Sequence, residues 1–121
     1  MRDRSSAGAV RGRPVLGIDV AYTTLLTVVV AVTGEIDMDT AAQLQATLMA
    51  TIEAQPPRTL TIDLAGVSLL DAAGMTALIQ THQHARRQHI AISLINAQPL
   101  VRRSIQIAGL GPFFGPPPGI T

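Results

Sequence analysis

The sequence predicts an α/β domain with a mixed, mostly parallel sheet of about four strands and about three flanking helices. Two successive strand–helix–strand units between residues 25 and 95 favour parallel strands joined by right-handed crossovers. A β-rich segment precedes them, separated by a short turn, and indicates an additional antiparallel strand. With 47% hydrophobic and 14% charged residues among 121, the chain can fill one core and lacks the composition of a disordered protein.

The N-terminal elements are predicted from apolar runs and their spacing. Residues 15–20 and 25–32 are rich in Val, Ile and Leu and predict two strands, and the four residues between them suit a hairpin turn. The polar segment Thr33–Asp37 is expected to end the second strand. Apolar residues at helical spacing from Ala41 to Ile52 then predict a first helix.

The ends of the first helix are predicted from capping and breaking residues, and the third strand is predicted from the alternation of apolar and polar side chains. Thr40 and Gln43 are spaced as a capping box, in which each side chain bonds the backbone N–H of the other residue. Pro56-Pro57 is expected to stop the helix. Residues 59–64 alternate strictly between apolar and polar side chains, which predicts a third strand, and residues 65–70 are expected to form a loop.

The C-terminal half predicts two more helices and one more strand. Asp71 is placed to cap a second helix over residues 72–88, and residues 90–95 form a further apolar run. Pro99 suits the first turn of a third helix, and Gly109 suits its left-handed end. The predicted apolar faces are Met75, Leu78, Ile79 and His82 on the second helix, and Leu100, Val101, Ile105 and Ala108 on the third.

Charge is distributed unevenly along the chain, and all nine basic residues are Arg. Residues 1–14 carry four Arg and one Asp, residues 15–71 carry one Arg and seven acids, and residues 72–121 carry four Arg and no acid. Such polarity can steer a protein partner, or can simply form two solvated faces of opposite sign. With two Phe and one Tyr the chain lacks the aromatic residues for stacking on bases, so we expect no direct binding to nucleic acid.

The sequence also predicts a cytoplasmic protein without disulfides. It contains no Cys, which excludes thiolate chemistry and agrees with a reducing compartment. No signal peptide is recognisable, because the Arg-rich residues 1–14 contain no apolar segment. The longest apolar run, Leu25–Val32, is too short to insert into a membrane.

No pattern in the sequence predicts an enzyme, a cofactor or a metal site. Neither a glycine-rich nucleotide loop nor any Lys is present, and Ser68 in Gly66-Val67-Ser68-Leu69-Leu70 lacks the second glycine of a nucleophile elbow. His82 and His84 would point about 200° apart on a helix, which is unsuitable for two ligands of one metal ion, and His89 lies beyond them. The acidic residues Glu35, Asp37 and Asp39 suit a hard cation, but helix capping explains Asp37 or Asp39 equally well.

The beginning of the second helix is the remaining candidate site. Asp71-Ala72-Ala73-Gly74 combines a capping residue with three small residues, so that the positive helix end is open to close approach by another chain or an anion. Simple N-capping explains the same residues with equal weight.

Four segments in order resemble the STAS domain of bacterial anti-sigma-factor antagonists. They are Thr33-Gly34-Glu35-Ile36-Asp37 with Thr40-Ala41, Ile62-Asp63-Leu64, Leu69-Leu70-Asp71-Ala72-Ala73-Gly74-Met75, and Pro99-Leu100-Val101-Arg102-Arg103 with Ala108-Gly109-Leu110. The resemblance covers residues 15–114. It leaves residues 1–14 as a flexible basic arm and residues 115–121 as a Pro-rich tail.

The resemblance implies a STAS-like fold and a protein that binds an anti-sigma factor of the histidine-kinase-like ATPase type, which frees a sigma factor for transcription. The docking face it implies consists of Glu35, Asp37, Asp71, Ala72, Ala73, Gly74 and Met75. STAS domains also serve as stressosome scaffold components and as cytoplasmic partners of membrane transporters. An accessory role of that kind is therefore the alternative function.

The chain departs from the STAS pattern at the position where family members are phosphorylated. That position is Ala72, and neither Ala72 nor Ala73 has a hydroxyl group, so the usual phosphorylation is chemically impossible. Ser68 and Thr76 are the nearest hydroxyl groups and are more readily explained as ordinary surface residues. We therefore expect binding without phosphorylation at the usual site.

The second departure concerns the C-terminus. Family members continue through a last strand and a closing helix, whereas this chain continues into a Pro-rich segment, so we expect either that those elements are lost or that the sequence is a truncation. An uncovered apolar edge or face would then favour weak self-association.

Overall fold

The computed structural model describes residues 16–24 and 26–109. The described residues form four strands and three helices, which are β1 (Gly17–Tyr22), β2 (Thr27–Ile36), α1 (Ala41–Ala54), β3 (Thr59–Leu70), α2 (Ala72–Arg87), β4 (Ala91–Ile95) and α3 (Pro99–Ile107). The predicted arm over residues 1–14, the tail over 115–121 and the expected loss of the last strand and helix lie outside the described residues. No described helix is long and apolar enough to cross a membrane.

The sheet has the spatial order β1-β2-β3-β4. β1 pairs with β2 in antiparallel orientation, and β2–β3 and β3–β4 are parallel pairs, which confirms the predicted mixed sheet. The two crossovers run in the same direction along the sheet, and α1 and α2 contact each other, so both helices lie on the same face, as right-handed connections require. The strand alternation directs one row of side chains toward these helices.

The core lies between this face of the sheet and the helices. Leu60, Ile62 and Leu64 of β3 are fully buried, as the alternation predicts. The core also contains Val28, Val30, Val32 and Ile36 of β2, Leu44, Leu48 and Ile52 of α1, Leu78 of α2, and Val101 and Ile105 of α3. Aliphatic residues therefore fill the interior, as the shortage of aromatic residues requires.

Two predicted boundaries are wrong because both central strands are longer than expected. β2 continues through Thr33–Ile36, and β3 continues through residues 65–70, which were expected to form a loop. Register shifts between Ala31 and Thr33 and between Gly34 and Glu35 accommodate these irregular segments within the ladder. The pairing of β2 with β3 continues through this segment because the core-facing residues Val67 and Leu70 are still buried. The carboxyl edge of the sheet therefore lies six residues farther along β3 than predicted.

Two smaller predictions about the helices are also wrong. Thr40 makes no side-chain capping bond to α1, and Gln43 instead donates from Nε2 to the carbonyl oxygen of Leu16, at 3.3 Å. The buried face of α3 is narrower than predicted. Leu100 and Ala108 were both assigned to it, but Leu100 is 63% exposed and Ala108 is also exposed. The predicted left-handed end of α3 is confirmed, because Gly109 has φ +72°.

We expect Leu48→Ala to lower the free energy of unfolding by about 2–5 kcal/mol, because the truncated side chain leaves a cavity in a fully buried layer. Leu100→Ala is the matched control, since the same atoms are removed from a largely exposed position. Chemical denaturation of both variants measures the difference. Equal losses in the two variants would contradict the described core.

Candidate partner-binding site

The site lies where the two central parallel strands end. Ile36 pairs with Leu70 at the last position of the β2–β3 ladder. Beyond it, the backbone N–H of Asp71 donates to the carbonyl oxygen of Ile36, at 3.1 Å. This bond joins the start of the β2–α1 loop to the start of α2. The two segments singled out in the sequence are therefore neighbours in space.

The β2–α1 loop is stabilised by the carboxylate of Asp37. Its Oδ1 accepts from the backbone N–H of Asp39 at 2.9 Å and of Thr40 at 3.2 Å. Thr40 Oγ1 accepts from the N–H of Asp37 at 3.0 Å and donates to the carbonyl oxygen of Glu35 at 2.7 Å. Asp37 therefore caps the turn that leads into α1. The loop is fixed by its own side chains and leaves Glu35 and Asp39 exposed.

The first turn of α2 is capped as predicted. Asp71 has an extended backbone, and its Oδ1 accepts from the N–H of Gly74, at 3.0 Å. Its carbonyl oxygen accepts from the N–H of Met75, at 2.9 Å. Ala72 is exposed at the first helical position and Ala73 is half-buried. The capping interpretation is confirmed, and it leaves a small apolar methyl group at the outermost point of the helix.

Gly74, although it belongs to the docking face that the family resemblance implies, does not lie on the surface. It is buried, and a Cβ at this position would lie 2.6 Å from Ile36 Cγ2, 2.6 Å from Leu70 Cδ1 and 2.9 Å from the carbonyl oxygen of Ile36. Met75 is also buried, with 8% exposure. Gly74 therefore allows close packing of the helix tip on the strand ends, and only the outer residues Ala72 and Thr76 are exposed beside it.

A groove runs between α2 and α3 directly beside the helix tip. It has a volume of about 490 Å³. Its lining residues are Leu70, Asp71, Ala72, Met75, Thr76 and Ile79 on the α2 side, and Ser104, Ile107 and Ala108 on the α3 side. Ile107 is 76% exposed, so its apolar side chain is largely open to solvent. The α3 wall was missed in the sequence because a contact between two helices has no sequence motif.

Two exposed apolar residues near the strand ends were also missed. Met38 lies between two acidic residues in the β2–α1 loop and is 77% exposed, and Leu69 is 38% exposed at the position that pairs with Glu35. Single exposed apolar side chains are common on protein surfaces, so these two residues alone do not define a binding surface. The signal for Met38 was its position in an otherwise polar loop.

Acidic residues cluster in the loop beside the helix tip. Glu35, Asp37 and Asp39 lie at the carboxyl edge of the sheet. Arg58 precedes β3 and Arg86 lies in the last turn of α2, so both are at the opposite edge. The separation of charge is incomplete, because Arg102 and Arg103 lie on α3 next to the groove and Glu53 lies in the last turn of α1.

The histidines do not form a metal site, since among the described residues no three His, Asp or Glu side chains are grouped to hold an ion. His84 was expected in solvent, but its Nε2 lies 2.6 Å from Oε2 of Glu53 on α1 and its side chain is 22% exposed. This hydrogen bond, with a second from Gln88, lowers the pKa of Glu53. Burial lowers the pKa of His82, and the positive charge of Arg86 adds to the effect. The cluster joins α1 to α2 far from the helix tip.

Comparison with protein families identifies the domain. The family model of the STAS domain matches residues 20–119, and the chain belongs to this family. A comparison with curated protein sequences gives no match.

Solved structures show which STAS-like proteins this chain is similar to. An anti-sigma factor antagonist from Mycobacterium paratuberculosis is 30% identical, with a TM-score of 0.76 over 88% of each chain. The unphosphorylated anti-sigma factor antagonist SpoIIAA is 25% identical, with a TM-score of 0.71 over 80% of this chain and 84% of its own. A sulfate transporter family protein from Wolinella succinogenes shares the fold at 16% identity, with a TM-score of 0.54 over 61% of this chain and 62% of its own. The chain is a STAS domain similar in structure to anti-sigma factor antagonists.

We expect Gly74→Ala to destabilise the domain by about 1–3 kcal/mol, because the added methyl group overlaps Ile36 and Leu70. Helix propensity alone predicts the opposite sign, since Ala is favoured over Gly by about 1 kcal/mol inside a helix. Thermal and chemical denaturation measure the change. Ala73→Gly is the control, because it reports the propensity cost of a glycine in the same turn without the overlap. A Gly74→Ala variant more stable than the native protein would show that the helix tip is not packed as described.

Proposed function

We propose that this domain is an anti-sigma-factor antagonist, which binds an anti-sigma factor of the histidine-kinase-like ATPase type and thereby promotes sigma-dependent transcription in the cytoplasm. The role is one of binding, without catalysis and without a cofactor. The proposal is supported by family membership and by the two structures similar to it that are themselves anti-sigma factor antagonists.

The observation that carries the proposal is the exposed tip of α2 beside the acidic β2–α1 loop. Ala72 and Thr76 are exposed, and a hydrogen bond from the Asp71 N–H to Ile36 fixes the tip against the strand ends. A surface of small side chains can be approached closely by another chain, and few side-chain rotamers have to be ordered on binding. We assign the partner contact to the outer residues Glu35, Asp37, Asp71, Ala72 and Ala73, supported from beneath by Gly74 and Met75.

We propose further that docking is not controlled by phosphorylation at the usual position, because Ala72 there has no hydroxyl group. Of the two neighbouring hydroxyl groups, that of Thr76 donates to the carbonyl oxygen of Ala72 within the helix, at 3.0 Å. Ser68 is exposed on β3, before the helix tip. In this interpretation both are ordinary surface residues.

We expect Ala72→Arg to weaken binding to the cognate anti-sigma factor at least tenfold, because a long charged side chain would obstruct the helix tip. Ala50→Arg is the matched control, since it places the same side chain at an exposed position of α1. Calorimetric titration of candidate anti-sigma factors with both variants measures the affinities. Equal affinities for the two variants would remove the helix tip from the docking face.

Copurification separates the antagonist proposal from the scaffold and transporter alternative. Both proposals use a STAS domain, and the transporter family structure shows only that the fold is shared. Copurification of the native protein with a small kinase-like ATPase supports the antagonist role. Copurification with a transporter or a large scaffold, with no measurable affinity for any anti-sigma factor, would replace it.

Incubation with the cognate kinase and ATP is expected to leave the native chain unmodified, whereas Ala72→Ser is expected to bind normally and to gain a phosphate at residue 72. Intact-mass and fragment spectra identify the modified residue. The added phosphate carries nearly two negative charges beside an already acidic loop, so the modified variant should lose affinity. A stoichiometric phosphate on the native chain would contradict the proposal.

A further inference from the structure

The groove between α2 and α3 presents apolar side chains, and its hydroxyl groups are already bonded. Met75 and Ile79 lie one turn apart on the α2 side, and Ile107 lines the α3 side with 76% exposure. The hydroxyl groups of Thr76 and Ser104 donate to carbonyl oxygens of their own helices. An incoming chain therefore meets an apolar surface that requires few hydrogen bonds in return.

A second hollow follows the groove on the same face of α2. It has a volume of about 310 Å³ and is lined by Gln83, Arg86 and Arg87, which are all exposed. Gln83 is four residues after Ile79 and Arg86 is seven residues after it, so their side chains continue the row that lines the groove. The exposed face of α2 thus changes from apolar in its first turns to basic in its last turns. We call this second cavity the basic hollow.

Arginine supplies most of the charge on this surface. Neither α2 nor α3 contains an Asp or Glu residue, and Arg103 adds another exposed cation on α3. The carboxylate of Asp71, at the tip end of the groove, accepts from a backbone N–H of its own helix. Glu53 of α1 is bonded to His84 and Gln88. A complementary occupant is therefore acidic where it meets the last turns of α2.

The groove and the basic hollow together have the length of a short helix. The row from Ala72 to Arg86 is a step of 14 residues, which corresponds to about 21 Å along the helix axis. A helix that binds in a groove contacts it through apolar side chains at i, i+3 or i+4, and i+7. About four helical turns cover this row, half of them over the apolar groove and half over the basic hollow.

We propose that the groove between α2 and α3 and the basic hollow together bind one amphipathic helix of a partner protein, which places apolar side chains in the groove and carboxylates over Arg86 and Arg87. The observation that carries the proposal is the succession of an apolar and a basic cavity along one face of α2. This contact lies beside the tip of α2 and specifies the chemistry of a partner segment. It does not depend on the proposed function.

Fluorescence anisotropy on the full chain tests the proposal with a synthetic probe. The probe is a labelled helical peptide of about 18 residues, with Leu at i, i+4 and i+7 in one half and Glu in the other half. Two such peptides, with Glu in the last or in the first turns, cover both directions of binding. We expect one of them to bind at least about tenfold more tightly than its counterpart with Lys in place of Glu. Absence of binding by both peptides, or equal affinity for the Lys counterparts, overturns the proposal.

Variants of the protein locate the bound peptide. We expect the double variant Arg86→Glu/Arg87→Glu and the single variant Ile107→Ser each to weaken binding at least about tenfold. Arg58→Glu and Leu26→Ser are the controls, because they make the same kinds of change at exposed positions outside both cavities, and we expect them to keep the native affinity. Equal losses in the variants and their controls overturn the proposal.

A second copy of the chain is the competing occupant of the groove. Sedimentation of the native protein and of Ile107→Ser over a range of concentrations distinguishes it from a partner helix. We expect the substitution to leave the sedimentation unchanged, because the groove is open in the free protein. A native dimer that Ile107→Ser dissociates would assign the groove to self-association and overturn the proposal.

Discussion

The pairing of the last residues of β2 and β3 determines the position of every candidate contact residue. Because the strands are parallel, both of their carboxyl ends meet at one edge, and the Asp71 N–H to Ile36 bond extends the ladder by one step into the loops. The acidic loop and the helix tip are thus held at a fixed separation. If the ladder had ended where the sequence first suggested, at Leu64, this edge would lie elsewhere and α2 would begin away from the loop.

Periodicity predicted the fold because it reports burial, which dominates the free energy of a small aliphatic core. The strict alternation of residues 59–64 and the spacing of Leu44, Leu48 and Ile52 could be interpreted in only one way. The extensions of β2 and β3 could not be predicted, because Thr33–Ile36 and residues 65–70 are irregular in pattern and are held in the ladder by register shifts. The pattern of residues within one segment does not show which other strand that segment pairs with.

Within the candidate site, the capping role of Asp71 could be predicted from the sequence, whereas the burial of Gly74 could not. A capping Asp acts through its own backbone neighbours, so its role is encoded within three residues. The burial of Gly74 depends on Ile36, which is distant in sequence and reaches the helix only after the sheet has formed. The same argument applies to Asp37 and Thr40. Their types indicated capping, but the partners that each side chain chooses follow from the three-dimensional path of the loop.

The tight packing at Gly74 has a consequence for changing the specificity of this domain. With Ile36 and Leu70 within 3 Å of where a Cβ would be, a larger residue at position 74 fits only if its neighbours shift, so this position cannot be varied freely. New partners would therefore have to be selected by varying the outward side chains, such as Met38, Ala72 and Thr76. In a library that also randomised Gly74, most variants would fold poorly.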